Sequence, residues 1–264
     1  MNNFNYHRPA SVADARALFS RADDPVYIAG GHTLLPAMKQ RLREPSDVID
    51  LAGISELTSI SVSDDEVTIG ALACHANVAE SADVANTIPA LADLASGIGD
   101  AQVRNRGTIG GSVANSDPAA DYPAAVLGLG ATVVTDQREI AGDDFFTDMF
   151  ETALEEGEVI TAIRFPIPKA AAYAKFPSPA SRYATVGVMV SQGSDTRVAI
   201  TGAGPCVFRS TDMEQALSSS FSADAISGIT IDASDLNADM HASAEYRAHL
   251  CVVMAGIAVE RIAS

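Results

Sequence analysis

Cysteine is scarce in this 264-residue chain, and the three that are present lie far apart. Cys74, Cys206 and Cys251 form no Cys-x-x-Cys pair. A structural zinc site or an iron–sulfur cluster needs several thiolates at short spacing, so this chain alone can build neither. Isolated cysteines of this kind are typical of buried thiols in a reducing cytosol.

Positive charge is the second shortage. The chain has 17 lysine and arginine residues against 34 aspartates and glutamates, a formal net charge of -17 at pH 7, and its only lysines are Lys39, Lys169 and Lys175. Such a surface repels phosphate backbones and anionic membranes, which argues against nucleic acid as a partner. We expect an ordinary acidic bacterial surface; adaptation to a saline habitat is the alternative.

Long apolar runs and tryptophan are also missing. No stretch reaches the roughly 18 uninterrupted apolar residues of a membrane span, and the opening residues MNNFNYHRPAS lack the basic start and apolar core of a secretory signal. We therefore expect no membrane insertion and a cytoplasmic location. Hydrophobic residues still make up 47% of the chain, and a packed protein of this length is near the size at which one core divides into two.

The first 50 residues predict a small unit of alternating helices and strands. SVADARALFSR indicates a helix that Ser11 caps, with Asp14 three residues later, and PVYIAG indicates a short buried strand. Pro36 suits the first turn of a short helix that runs to about Leu42. SDVIDL is typical of a second strand.

The next hundred or so residues predict further strands and helices around a glycine-rich segment. EVTIGALA, ATVVT and EVITAIRFPIP are typical of strands, whereas NVAESADVAN, IPALADLAS and PAAVLGLG show helical spacing of apolar residues. Two prolines and an alanine-rich run then interrupt the periodicity near Pro166 to Lys169, which predicts a domain boundary there.

The remaining residues predict a smaller α+β domain. TVGVMVSQ and TRVAITGAG indicate an antiparallel strand pair, and helices are expected near 211 to 219 and 222 to 227. Ser243 can cap the last helix, SAEYRAHLCVVMAGIAVERIA. Its apolar face is predicted to carry Tyr246, Leu250, Val253 and Ile257.

Two glycine pairs are the first sign of a ligand. Gly30-Gly31 follows a strand, and Gly110-Gly111 lies in RGTIGGSVAN. Glycine lets the backbone adopt positive φ or approach a ligand without a Cβ in the way, and successive free N–H groups bind anions. A diphosphate suits two such loops, although either pair alone is also typical of a simple tight turn.

Two common nucleotide-binding motifs are excluded. The dinucleotide fingerprint fails because GIGDAQ follows a helix and Gln102 stands where a third small residue belongs. A P-loop is absent because no glycine loop ends in Gly-Lys-Ser/Thr. Hydroxyl groups do accompany both glycine pairs, at Thr33, Thr108 and Ser112.

Longer segments resemble one family. AGGHTLLPAMK and QVRNRGTIGGSVANSDPAADYP resemble the two flavin-binding signatures of the FAD-binding medium subunit of molybdenum hydroxylases, and TIGALACHANV and AYAKFPSPASRYATVGV extend the likeness over the chain. The family includes the medium subunit of carbon monoxide dehydrogenase and the FAD domain of xanthine dehydrogenase. The resemblance implies an α+β fold of the vanillyl-alcohol oxidase/p-cresol methylhydroxylase type in residues 1–168, with subdomains of about 1–55 and 56–168. A small C-terminal α+β domain, 169–264, would follow.

The same resemblance implies the cofactor-binding residues. One loop is implied to line the FAD diphosphate through its backbone: Ala29, Gly30, Gly31, His32, Thr33 and Leu34. A second group is implied to line the diphosphate from the other side: Thr108, Gly110, Gly111 and Ser112. Asp121 would form a hydrogen bond with the flavin portion of FAD. Ile98 and Ile160 would be further cofactor-binding positions, with Ile160 at the flavin ring. Lys175 would reach the cofactor from the second domain. No residue is implied to be catalytic or to bind a metal.

Simpler explanations exist for three of these residues. His32 could bond only its own loop carbonyls, Asp121 could sit on the first turn of a helix as a partner of its dipole, and Lys175 could be a solvated surface charge.

The implied function is electron transfer through bound FAD. In this family a large molybdopterin subunit hydroxylates the substrate, and two [2Fe-2S] clusters of a small subunit pass the electrons to the FAD, which hands them to an external acceptor. The resemblance implies both partner subunits, in a dimer of heterotrimers. The alternatives are a stand-alone flavin oxidoreductase of the same fold and an assembly subunit that has lost its flavin.

Overall fold

Three β-sheets and one short hairpin organise the chain, for which a computed structural model describes residues 1–263. The first sheet is parallel, with strand order β1-β3-β2, and helices connect its strands because parallel neighbours need a crossover. Its elements in chain order are β1 (Asn5–His7), α1 (Val12–Phe19), β2 (Pro25–Ile28), α2 (Leu34–Lys39) and β3 (Asp47–Asp50), followed by two 3₁₀ turns, Leu51–Gly53 and Ser55–Thr58.

Local signals in this first unit are largely confirmed. Ser11 caps α1 by accepting the backbone N–H of Asp14 at 3.1 Å. Strand β2 is only half-buried, in contrast to the predicted buried strand, because it is the edge of its sheet and lines a cleft. Helix α2 ends at Lys39 rather than near Leu42, and Arg41 just beyond it adopts a φ of +60°.

The second sheet is antiparallel, in the order β4-β5-β10-β6-β7, and a hairpin of β8 and β9 lies outside it. The strands are β4 (Ile60–Val62), β5 (Glu66–Gly70), β6 (Thr132–Thr135), β7 (Glu139–Ala141), β8 (Phe146–Asp148), β9 (Glu151–Thr152) and β10 (Ile160–Pro166). The helices are α3 (His75–Glu80), α4 (Ala82–Thr87), α5 (Pro89–Ser96), α6 (Ala101–Arg104), α7 (Ile109–Asn115), α8 (Tyr122–Gly128) and α9 (Gly142–Phe145).

Helix α8 is completely buried, because every one of its residues is covered by neighbouring elements. The inward side chains of the second sheet, among them Ile69, Ile163 and Phe165, form one side of its core. Met189 of the third sheet belongs to the same core, and it packs so closely on α8 that a Cβ at Gly128 would lie 2.6 Å from its Cγ. The second and third sheets thus share one hydrophobic core.

The third sheet is antiparallel, in the order β11-β12-β13-β14. Its strands and the helices that follow are β11 (Ala170–Pro177), β12 (Ala184–Gln192), β13 (Thr196–Thr201), β14 (Phe208–Arg209), α10 (Thr211–Ser219), α11 (Ala223–Ile226) and α12 (Ala244–Ala263). The predicted strand pair is confirmed by the β12–β13 register, in which Val190 faces Val198. Strand β12 is buried on both faces, with α8 on one side and α12 on the other.

The predicted apolar face of α12 is partly wrong, because Leu250 is buried and Ile257 packs against the core as predicted, but the other two predicted residues do not. Tyr246 and Val253 are 42% and 37% exposed, whereas Cys251, Met254 and Ala258 are buried against the third sheet. Small side chains as well as large ones form the buried face, so the large apolar residues alone do not mark it.

Residue 168 stays a predicted domain boundary. The first two sheets end before it and the third begins at Ala170, although the second and third sheets share one hydrophobic core. Within residues 1–263, no helix is both long and apolar enough to span a membrane.

Candidate functional site

A cleft of about 680 Å³ runs between the first sheet, the segment from α6 to α7, and strand β10. A volume of this size is typical of small-molecule and cofactor sites. All predicted site residues except Lys175 line it: Ala29, Gly30, Gly31, His32, Thr33, Leu34, Ile98, Thr108, Gly110, Gly111, Ser112, Asp121 and Ile160. The fold thus brings together segments that are far apart in the sequence, from Ala29 to Ile160.

The first glycine pair opens a run of free backbone donors, here called the amide row. Gly31 adopts a φ of +76°, a left-handed conformation that lets neighbouring N–H groups turn to one side. Among the residues that the structure describes, none accepts a hydrogen bond from the five consecutive N–H groups of residues 30–34. Thr33 makes no side-chain cap to α2, so its hydroxyl is not committed to the end of that helix. This wall of the cleft offers donors to an anion.

The second glycine pair differs from the predicted open loop, because it lies in the first turn of α7. Thr108 caps this helix by accepting the N–H of Gly111 at 3.1 Å, and the N–H of Gly110 bonds the carbonyl of Ala71 at 2.9 Å. The N–H of Ser112 bonds the carbonyl of Thr108. The expectation of free backbone donors here is therefore wrong, and this wall offers the hydroxyls of Thr108 and Ser112 instead.

Two glycines allow the walls of the cleft to meet. A Cβ on Gly30 would lie 2.1 Å from the carbonyl oxygen of Arg106, and a Cβ on Gly110 would lie 2.5 Å from the Cβ of Ala71. Such distances are far inside van der Waals contact, so both positions require glycine for packing. The packing explains Gly110 without a ligand.

A buried carboxylate, Asp121, stands at the start of α8 and faces the cleft. The Tyr173 hydroxyl donates to its Oδ1 at 2.5 Å, and the Lys175 ammonium donates to its Oδ2 at 2.9 Å and to the Gly97 carbonyl at 3.2 Å. Burial raises the pKa of Asp121, and the charge of Lys175 and the hydrogen bond from Tyr173 oppose that rise. Lys175 is thus no solvated surface charge, and it lies behind Asp121 rather than in the cleft lining.

Tyr173 was not identified from the sequence. It is two residues from Lys175 on β11, and alternate residues of a strand point to the same face. Burial, together with the Asp121 charge, raises the pKa of its phenol well above the ordinary value, so it stays a hydrogen-bond donor. The side-chain spacing on β11 was the available signal, but nothing in the sequence paired it with residue 121.

A second carboxylate fixes the wall that carries Ile160. Glu158 accepts hydrogen bonds from the Arg138 guanidinium at 3.0 Å, the Thr135 hydroxyl at 2.7 Å and the backbone N–H of Glu155 at 2.7 Å. The pKa of Glu158 is lowered to about 2, and the hydrogen bonds from Arg138 are the largest cause of this shift. Glu158 therefore stays charged and holds the start of β10 in place.

Comparison with known proteins identifies the family. A family model described as the FAD binding domain in molybdopterin dehydrogenase matches residues 2–168. The chain belongs to this family. Nicotine 6-hydroxylase medium subunit of Paenarthrobacter nicotinovorans is 37% identical over 257 residues, which cover 92% of this chain and 91% of that protein. The carbon monoxide dehydrogenase medium chain of Afipia carboxidovorans is 34% identical over 284 residues, 98% of this chain and 96% of that protein.

Solved structures agree with this assignment. A chain of carbon monoxide dehydrogenase from Oligotropha carboxidovorans superposes with a TM-score of 0.89 at 32% identity, over 99% of this chain and 98% of that chain. Quinoline 2-oxidoreductase from Pseudomonas putida 86 gives a TM-score of 0.89 at 28% identity, over 99% and 97%. The predicted family and α+β FAD-binding fold are confirmed, the cofactor is FAD, and the chain is an oxidoreductase subunit of the molybdenum hydroxylase type.

The structure fits this cofactor. FAD carries a diphosphate, and the amide row presents consecutive unpaired donors to a cleft of suitable volume. The apolar side chains of Ile98 and Ile160, which also line the cleft, suit the flat rings.

Proposed function

We propose that the chain is the FAD-carrying electron-transfer subunit of a multi-subunit molybdenum hydroxylase. It takes electrons from the [2Fe-2S] clusters of a small partner subunit and passes them to an external acceptor, while a large molybdopterin subunit hydroxylates the substrate. Two of its relatives are called a medium subunit and a medium chain, which supports a place among other subunits. Bound FAD supplies the redox chemistry, and this chain binds and orients it.

The proposal extends to the residues that hold the cofactor. The amide row of residues 30–34 binds the diphosphate, the hydroxyls of Thr108 and Ser112 face it, and Ile98 and Ile160 pack on the rings. Asp121, fixed by Lys175 and Tyr173, accepts a hydrogen bond from the flavin portion. The observation that carries this assignment is the row of five unpaired donors in a cleft that also contains a buried carboxylate.

The assembly and location are part of the same proposal. We expect one copy of each of the three subunits per unit, with two such units in the complex, and a cytoplasmic location. The strongly acidic chain suits partners with basic docking surfaces, because charge complementarity favours encounter.

Purification tests the proposal in two steps. The full chain should be yellow, should release FAD on denaturation and should take up added FAD after its removal; a colourless chain that takes up none would refute the FAD role. Isolation from the native host with metal analysis should then show molybdenum and iron that co-elute with the chain. A solitary flavoprotein would support the stand-alone oxidoreductase, and a flavin-free chain inside a molybdenum complex would support the assembly subunit.

A further inference from the structure

A second concave surface, a groove of about 980 Å³, lies near the C-terminal end of the chain. Helix α11 and the segment 227–233 form one wall, and the outer face of α12 forms the other. The groove and the cofactor cleft have no lining residue in common among the residues that the structure describes. The groove is therefore a separate surface, which the binding of FAD does not use.

Helix α12 is apolar on two opposite sides. Its inner face is buried against the third sheet, and an outer stripe that recurs at spacings of three and four lines the groove: Ala248, Val252, Val253, Gly256 and Ile257. At 1.5 Å per residue, the groove-lining positions from 245 to 260 span about 22 Å of helix. A surface helix normally has a polar face opposite its buried face, whereas a helix that is apolar on both sides is covered on both. We therefore expect the outer stripe to be covered as well.

The shape of the groove suits a helix that lies beside α12. Gly256 has no side chain, and the nearest described atom that a Cβ there would meet is the Cβ of Ala223 at 3.9 Å, so space is left above it. Packed helices lie 8–10 Å apart, and small residues at the contact allow the shorter distance. On the opposite wall, Ile229 and Ile231 are only half-buried and add apolar surface to the same space.

The charges around this apolar surface are of one sign. Four exposed carboxylates line the groove: Asp224, Asp232, Glu245 and Glu260. Among the described residues that line it, none is lysine or arginine, and within residues 1–263 none of the four carboxylates forms an ion pair. Such a surface attracts a partner with positive charges and repels an anionic membrane or a second copy of the same acidic surface.

We propose that this groove docks a helix of a partner subunit, one whose apolar stripe is flanked by lysine and arginine. The inference rests on the proposed function, because it needs a multi-subunit complex. The apolar stripe of the incoming helix packs between α12 and the segment 227–233, and its cations face the four carboxylates. Recognition of an amphipathic helix by an apolar groove is a common mode of protein association. The groove thus holds the chain in its complex, while the cleft holds the cofactor.

Photo-crosslinking in the purified complex identifies the occupant. The light-activated residue p-benzoylphenylalanine replaces Val253, which is 37% exposed in the groove. The complex is then isolated from the native host through a tag on this chain, irradiated and digested for mass spectrometry. We expect a crosslinked peptide of a partner subunit, with apolar residues at spacings of three and four and lysine or arginine beside them. A crosslink to a second copy of this chain, a crosslink to a peptide without such cations, or no crosslink in an intact complex would overturn the inference.

Two substitutions test the groove without touching the cleft. Gly256→Leu fills the groove, and Glu260→Lys reverses one of its charges. Each should keep normal FAD content, whereas the molybdenum and iron that co-elute with the diluted chain should fall about tenfold or more, because like charges or lost contacts weaken docking. The matched controls, Gly193→Leu in the turn between β12 and β13 and Glu80→Lys at the exposed end of α3, should retain both metals.

The two proposals fail in different ways. Full retention of both metals in Gly256→Leu and in Glu260→Lys would overturn the docking inference and leave the proposed function intact. A wild-type chain that elutes with neither metal would refute the proposed function, and the docking inference with it.

Discussion

Replacing Lys175 with methionine tests the buried ion pair behind the cleft. The Lys175 side chain is 11% exposed and its Nζ lies 2.9 Å from Oδ2 of Asp121, whose side chain is 5% exposed. Methionine fills similar space without the charge, so Tyr173 would be the remaining partner of Asp121 among the residues that the structure describes. Removing one member of a buried pair costs about 3 to 5 kcal/mol, because a charge is left uncompensated. Asp121→Asn combined with Lys175→Met should recover most of that loss.

The loss should depend on pH in one direction. Burial raises the pKa of Asp121, and without Lys175 it rises further. A carboxyl whose pKa is higher in the folded state binds its proton more tightly there. The folded state is thus favoured below the unfolded pKa, about 3.8, and this advantage disappears as the pH rises through the folded pKa. Lys175→Met should therefore be most destabilising near pH 8 and less so near pH 5.

Urea unfolding of the FAD-free full chain, followed by circular dichroism near pH 5 and pH 8, measures these quantities. Lys169→Met, at an exposed lysine, is the control. A loss below about 1 kcal/mol near pH 8, the size seen for exposed ion pairs, would refute the reasoning. So would a loss that is the same at both pH values, or a double variant no more stable than Lys175→Met.

Two other changes test the walls of the cleft. Gly30→Ala places a Cβ 2.1 Å from the backbone oxygen of Arg106, so the walls of the cleft must separate and FAD content should fall to near zero. The control, Gly228→Ala, adds a Cβ in open space and should leave FAD content unchanged. Normal FAD content in Gly30→Ala would contradict the packing argument. Glu158→Gln should cost about 3 kcal/mol at neutral pH, the equivalent of lowering a pKa from 4.5 to about 2. That contribution is present above about pH 4.5 and is lost as the pH falls towards 2. Urea unfolding at several pH values should therefore show that the free energy of unfolding falls less steeply with acid in the variant. An unchanged fall would count against the Arg138 contact.

Short-range signals were readable from the sequence. Ser11 with Asp14 predicted α1 because a helix cap involves residues three apart. Gly30-Gly31 was recognised as a special backbone because left-handed φ favours glycine. Three-residue strands such as β1 and β7 were missed, because so few residues show no alternation.

Long-range pairings could not be predicted from patterns. Tyr173 and Asp121 are 52 residues apart, and His75 and Tyr122 meet only because α3 and α8 belong to the same packed unit. The inner face of α12 was only partly assigned, for a related reason. Which face is buried depends on the shape of the third sheet, and small residues such as Ala255 and Ala258 are buried there beside Leu250.

The contacts of Asp121 have a consequence for how this protein can be divided. The family match ends at residue 168, but two side chains that hold Asp121, Tyr173 and Lys175, lie beyond it on β11. A fragment that stops at 168 would retain the amide row, lose the cation that compensates its buried carboxylate, and expose the side of α8 that Met189 covers. Given the proposed role of Asp121, we therefore expect a truncation or gene fusion to preserve flavin only when it keeps the third sheet as well as the amide row.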